Sequence, residues 1–151
     1  MGKLKEKYLR DAFAEYEKRL SAFCRFRVIE IDEERLPDKP SEAEIKNGIE
    51  KEADRILKKI PENRFLVSLC VEGKMLSSEE LAGEIHAADN SGTPFTFIIG
   101  SSHGLAEQVK RAADIRLSFS KMTFPHQLFR VMLSEQIYRA EQIINGGKYH
   151  K

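Results

Sequence analysis

Two stretches of this 151-residue chain carry residue types at spacings that suit chemistry. Gly100-Ser101-Ser102-His103-Gly104 fits the G-x-S-x-G nucleophile elbow, with Ser102 as nucleophile. Asp114, then His126 or His150, would complete the hydrolase chain order. Against this, the chain is short for that fold and no HGGG-type oxyanion loop precedes the elbow. The same loop also reads as a glycine-containing turn after a strand, where a ligand approaches the backbone closely. A plain strand-to-helix turn would look the same. It is not G-x-G-x-x-G, so the dinucleotide fingerprint is absent.

The second stretch runs from Lys121 to Arg130. It joins an apolar, sulfur-bearing loop to His126 and Arg130, which lie four apart on one face of a helix. Such a pair suits a phosphate or an activated base, although a solvated helix start has the same composition. Glu135 and Arg139 read most simply as an i,i+4 ion pair. The end of the chain, Gly146-Gly147-Lys148-Tyr149-His150-Lys151, suits stacking on bases and meeting phosphates, or else is a frayed terminus. The four histidines and two cysteines show no C-x-x-C or H-x-x-x-H spacing, so no metal site is predicted. Cys24 and Cys70 sit in apolar contexts and read as reduced thiols of a cytoplasmic protein.

These residues need elements to position them. Lys3 to Leu20 has Leu4, Tyr8, Ala12, Phe13 and Tyr16 at helical spacing and predicts an amphipathic helix. Phe26 to Ile31 alternates, with one shift of phase, and predicts a strand with a bulge. Ser41 with Glu44 is a capping box opening a helix to Ile60. Phe65 to Val71 is nearly all apolar and predicts a strand buried on both faces, ended by Gly73. A helix from Ser77 or Ser78 to Ala88, a strand at Phe95–Gly100, a short helix at Leu105–Ala113 and a strand at Ile115–Ser120 follow. The last helix runs from Pro125 to Ile144. The alternation means one α/β domain over residues 1–151 with a mostly parallel sheet.

Composition sets the outer bounds. Lys+Arg number 25 and Asp+Glu 24, and 41% of residues are hydrophobic. That fits a soluble globular domain and excludes global disorder. The longest apolar runs are far short of the roughly twenty residues of a membrane span, and no signal peptide opens the chain. A net charge of +1 gives no steering field for nucleic acid. The average hides a gradient: residues 61–118 hold five basic and eight acidic groups, residues 119–151 five basic and two acidic.

Longer blocks carry a resemblance. Gly2-Lys3-Leu4-Lys5-Glu6-Lys7-Tyr8, Glu15-Tyr16-Glu17-Lys18-Arg19-Leu20, Glu72-Gly73-Lys74-Met75-Leu76-Ser77-Ser78-Glu79 and Phe97-Ile98-Ile99-Gly100 are four of them. Leu117-Ser118-Phe119-Ser120-Lys121-Met122-Thr123-Phe124-Pro125-His126-Gln127, Glu135-Gln136-Ile137-Tyr138-Arg139-Ala140 and Tyr149-His150-Lys151 are the others. Over essentially its whole length the chain resembles the RlmH family, ribosomal large-subunit methyltransferases of the SPOUT class. The resemblance implies a C-terminal trefoil knot in an α/β fold, a homodimer and S-adenosylmethionine as methyl donor. It implies methylation of N3 of the 23S rRNA pseudouridine conventionally numbered 1915, in assembled 70S ribosomes.

Carried over by position, the donor site would use Leu69, Gly100 and the loop Phe119, Ser120, Lys121, Met122, Thr123 and Phe124. His126, Arg130, Tyr138, Arg139, Tyr149 and His150 match polar positions near donor and RNA. Either His126 or His150 would accept the N3 proton, and Arg130 or Arg139 would stabilise the developing anion. Three departures stand beside the match. The family usually opens with a strand before the Gly-Lys-Leu-Lys run; its absence here implies a mis-called start or a truncated chain and a sheet short of one strand. Ser101 stands where a second glycine is usual, and is expected to be strained if the backbone there needs glycine. Cys70 stands where an acidic residue is common. A non-catalytic RNA-binding relic is the competing reading, and a Ser102 hydrolase the third.

Overall fold

Phe65–Met75 forms the central strand, β1, because its first half has apolar partners on both sides. The computed structural model describes residues 2–151. In chain order, α1 is Lys7–Leu20, α2 Glu42–Leu57, α3 Ser78–Asn90, β2 Phe95–Ile99, α4 Glu107–Ala112, β3 Ile115–Ser118 and α5 His126–Ile144. The sheet order is β2-β1-β3, all parallel. Leu66 and Val67 are adjacent and therefore point to opposite faces. Leu66 joins Ala53, Ile56, Ile98, Leu105 and Val109 under α2 and α4. Val67 joins Leu20, Leu81, Ile85, Leu117, Leu133 and Ile137 under α1, α3 and α5. Helices on both faces of a parallel sheet are the α/β architecture the alternation predicts.

Two helix starts follow the sequence directly. Ser41 and Glu44, then Ser77 and Glu80, each form a reciprocal capping box. Other expectations need correction. The first helix begins at Lys7, not Lys3. Phe26–Ile31 is not a strand. Phe26 packs on the α1/α5 side and Ile31 on the α2/α4 side, as in a buried strand, but among the described residues no strand of the sheet pairs with this segment. Among the described residues the sheet therefore has three strands, not four.

The central strand also does not stop at Gly73; it continues to Met75. Leu117 of β3 faces Leu69 and then Lys74, so β1 bulges between those two positions. Glycine makes this possible. A Cβ at Gly73 would lie 2.6 Å from the Leu117 carbonyl carbon and 2.7 Å from the Arg116 oxygen, both backbone. The extension carries Leu76 to Glu79 past the end of the sheet, toward α5. Gly73→Ala should therefore destabilise the fold by about 1–3 kcal/mol through overpacking against main chain. A lower urea midpoint at unchanged slope is the expected result; a wild-type midpoint would refute the close approach.

Candidate functional site

A cleft of about 470 Å³ opens at the carboxyl ends of β1 and β3. That volume and position are ordinary for a small-molecule site on a parallel sheet. Leu76 and Ser77, from the turn between β1 and α3, form one wall. Phe119 and Phe124, with Leu117, form a second, and Val131, Met132, Glu135 and Gln136 of α5 a third. Tyr16 of α1 closes a fourth side. The loop between β3 and α5 is held by its own side chains. Ser118 Oγ donates to the Ser120 carbonyl at 3.0 Å, and the Met122 N–H donates to Ser120 Oγ at 3.0 Å. The Phe119 and Phe129 rings lie 4.7 Å apart, anchoring the loop to α5.

A ring of hydrogen bonds borders this cleft. Ser78 Oγ donates to Gln136 Oε1 at 2.8 Å, and Gln136 Nε2 donates to Glu135 Oε2 at 2.7 Å. The other oxygen of Glu135 accepts from Arg139 and, at 3.1 Å, from the Tyr149 hydroxyl. Arg139 Nη1 lies 3.4 Å from His150 Nδ1, and His150 Nε2 lies 2.8 Å from Glu79 Oε1. Ser78 and Glu79 are neighbours, so the circuit closes on α3. One neutral tautomer satisfies both contacts of His150: Nε2–H donates to Glu79, and Nδ1 accepts from Arg139.

Electrostatics agree with this circuit. Burial first, then a hydrogen bond with Tyr16 and the Glu135 charge, push the Tyr149 phenol up to about 12. It is therefore a proton donor at neutral pH. The Glu79 carboxyl is held down at about 2 by its own backbone N–H, then by His150. A carboxyl lowered on folding contributes above its ordinary value of 4.5, and its contribution disappears only as pH falls toward about 2. The His150–Glu79 contact thus does not depend on Glu79 titration near neutrality.

A family model described as a predicted SPOUT methyltransferase matches residues 1–150. The chain belongs to the SPOUT methyltransferase family. It is 51% identical to the ribosomal RNA large subunit methyltransferase H of Clostridium beijerinckii, over all of this chain and 96% of that protein. The proteins of the same name from Carboxydothermus hydrogenoformans and Ligilactobacillus salivarius are 50% and 47% identical, with the same coverage.

Within this SPOUT domain the expected site residues separate into groups. Phe119 and Phe124 line the cleft. Ser120, Lys121, Met122 and Thr123 lie in the same loop without forming its wall. Leu69 is a buried core residue of β1, and Gly100 packs against the Gly104 backbone; neither lines the cleft. Arg139, Tyr149 and His150 come together in the ring. His126 and Arg130 do share a helix face, but they turn to another loop. His126 Nε2 lies 3.2 Å from Glu33, and Arg130 donates to Glu30 at 2.9 Å with its guanidinium 4.3 Å from the Phe13 ring centre. Residue spacing missed Leu76, Ser77, Gln136 and Tyr16. The block Glu72–Glu79 was the available signal for the first two.

The hydrolase constellation is not assembled. Ser102 is exposed, and Asp114 accepts the Leu66 N–H at 2.7 Å, while both candidate histidines face glutamates. Ser101 is not strained, since no non-glycine residue among the described ones has positive φ. Its hydroxyl instead donates to the buried Glu52 carboxylate at 2.8 Å, whose other oxygen accepts the Glu34 N–H at 2.8 Å. Cys70 is half-buried, and burial raises its thiol. Among the described residues no group of three or more His, Cys, Asp or Glu is placed to hold a metal, and no helix is long and apolar enough to cross a membrane.

Glu135 is the point where this circuit is most easily broken. Glu135→Ala should undock the tail and speed tryptic cleavage after Lys148 by about tenfold or more, the scale of one charge-assisted hydrogen bond. Mass spectrometry of timed digests reads this, and wild-type protection would show that Glu135 does not hold the tail.

Proposed function

We propose that this chain transfers a methyl group from S-adenosylmethionine to N3 of pseudouridine 1915 in 23S ribosomal RNA. It acts on the assembled 70S ribosome, in the cytoplasm, as a homodimer whose C-terminal half forms a trefoil knot. The single observation that carries this reading is the juxtaposition of a strand-end cleft with Arg139, Tyr149 and His150. Relatives near 50% identity that are named ribosomal RNA large subunit methyltransferase H support the substrate class.

The cleft fits the donor. Leu76, Leu117, Phe119 and Phe124 supply apolar walls for a purine, and Ser77 and Gln136 supply polar edges. S-adenosylmethionine, when bound, supplies an electrophilic methyl group. Phe119 and Phe124 keep water from it. His150 accepts the N3 proton at Nδ1 once Arg139 turns from that nitrogen to the substrate. Glu79, ionised and bonded to Nε2–H, then stabilises the imidazolium. Arg139 stabilises the negative charge that develops on the base. His126 is the weaker candidate for the proton, because it pairs with Glu33 and neither lines the cleft nor joins the ring. Much of the acceleration comes from holding the reacting atoms in line.

Removing Tyr149 to Lys151 should lower methyl transfer by at least about a hundredfold, the usual worth of a positioned acid–base group. Donor affinity by calorimetry should stay close to wild type. Transfer is read on intact 70S ribosomes by mass spectrometry of the modified nucleotide. Full activity of the truncated chain would overturn the role of the tail. Absence of donor binding by the intact chain at millimolar concentration would favour the non-catalytic relic.

A further inference from the structure

We infer that the turn after α1 is a second contact for RNA: an unpaired nucleotide beside the target base stacks on Phe23, and its phosphates meet Arg25 and Arg27. This contact deepens the proposed function and rests on it for its ligand. Residues 18–27 hold four basic groups and no acidic one, with Phe23 and Phe26 set among them. Basic side chains interleaved with aromatic ones suit unpaired nucleic acid, in which every base has a face to stack and every linkage a charge. Folding turns that composition into a surface. Residues 21–26, with Glu17, line an open groove of about 520 Å³. The turn is held at both ends, because Leu20 is fully buried and Phe26 packs on the same core. Between them the Phe23 and Cys24 N–H groups donate to the Leu20 carbonyl at 2.9 and 3.0 Å, and Ser21 Oγ donates to that of Lys18 at 2.7 Å. A platform already in place loses little freedom when a ligand arrives.

Phe23 is 38% exposed, in a setting of uncommitted cations. Arg25 and Arg27 are exposed, and neither they nor the Lys18 ammonium has a hydrogen bond or ion pair among the described residues. A single exposed ring is far too small for a stable protein interface, but it matches one base. The position ties this groove to the reaction site. The Phe23 ring lies edge-on to Tyr138 at 5.9 Å, and Tyr138 lies 4.9 Å from Tyr149. One ring thus separates Phe23 from the tail, where the target base is proposed to sit. Arg19 lies 5.7 Å from the Tyr138 ring centre but is already bonded to Glu15, and Glu17 is the acid in the groove wall. Contact with phosphate therefore falls to Arg25 and Arg27.

The test compares Phe23→Leu, the double variant Arg25→Gln with Arg27→Gln, and the wild-type chain. Each is bound to intact 70S ribosomes and read by sedimentation across a salt series. Leucine keeps an apolar side chain against Tyr138 and removes the stacking face. Phe23→Leu should raise the Kd for ribosomes about tenfold, within the worth of one stacked base, at unchanged salt slope. The arginine variant should raise the Kd and lower the slope of log Kd against log salt by about 1.4, about 0.7 for each phosphate neutralised on a single strand. In both, Tm, donor affinity by calorimetry and tryptic protection of Lys148 should stay as in wild type. KM for ribosomes should rise at unchanged kcat, as when binding energy common to ground and transition states is lost. Wild-type ribosome affinity in either variant would overturn the inference. So would a loss that tracks a lower Tm or an exposed tail, which is a structural effect. A changed oligomeric state by light scattering would also overturn it and make the groove a contact between copies. If the wild-type chain binds ribosomes, the variants show these losses and no methyl group is transferred, the proposed function falls and the groove stands.

Discussion

One carboxylate organises the site. Glu135 accepts from Arg139, Tyr149 and Gln136, and its side chain is only 18% exposed. The chain after α5 has no apolar run with which to bury itself, so its order must come from directed polar contacts. Glu135 provides them because the i,i+4 spacing puts Arg139 on its face of α5. The same carboxylate is part of the cleft wall. A change at this one position therefore alters the shape of the cleft and the position of the tail together.

The ring reaches α3 only because β1 is long. Had the central strand ended at Gly73, Ser78 and Glu79 would not be carried to α5. The bulge opposite Leu117 absorbs the extra residues, and the missing Cβ at Gly73 lets the two backbones touch. The capping box at Ser77 then fixes where α3 begins. That box leaves Ser78 and Glu79 in the first turn, where free N–H groups favour a carboxylate. The depressed ionisation of Glu79 has its main cause there, in a backbone N–H, with His150 second. Main-chain geometry at the end of the sheet thus keeps Glu79 ionised to lower pH beside His150.

Local signals were legible in the sequence where they act over a few residues. The two capping boxes, the buried runs of β1 and β2 and the start of α5 all follow from neighbours in the chain. Contacts between distant residues were not. Phe26–Ile31 alternates like a strand, yet alternation reports only that successive side chains face opposite ways. A strand also needs a neighbour to pair with, and among the described residues no strand of the sheet lies against this segment. Gly73 reads as a strand end, and only the β3 backbone behind it shows that it is a close approach. Ser78 and Gln136 are 58 residues apart and Arg130 and Glu30 are 100 apart, so neither pairing has a local mark. Tyr16 satisfies the helical spacing of an apolar face, which hides its place in the cleft wall. Of the candidate site, the residue types of the tail were legible, and its partners were not.

The charge gradient takes on a different meaning once the partners are known. The final segment holds five basic groups and two acidic ones, but acids from elsewhere meet it: Glu30 at Arg130, Glu33 at His126 and Glu79 at His150. Glu135 meets Arg139 from within. Among the described residues Lys121, Lys148 and Lys151 are without an ion pair. On the proposed reading, a nucleic-acid phosphate attracts these three lysines directly, whereas it must compete with carboxylates for the arginines. Competition of that kind weakens binding of any chance polyanion more than binding of a substrate that also fills the cleft. On the proposed reading the net charge of +1 thus hides three lysines open to phosphate and one arginine, Arg139, held by Glu135 at the edge of the cleft.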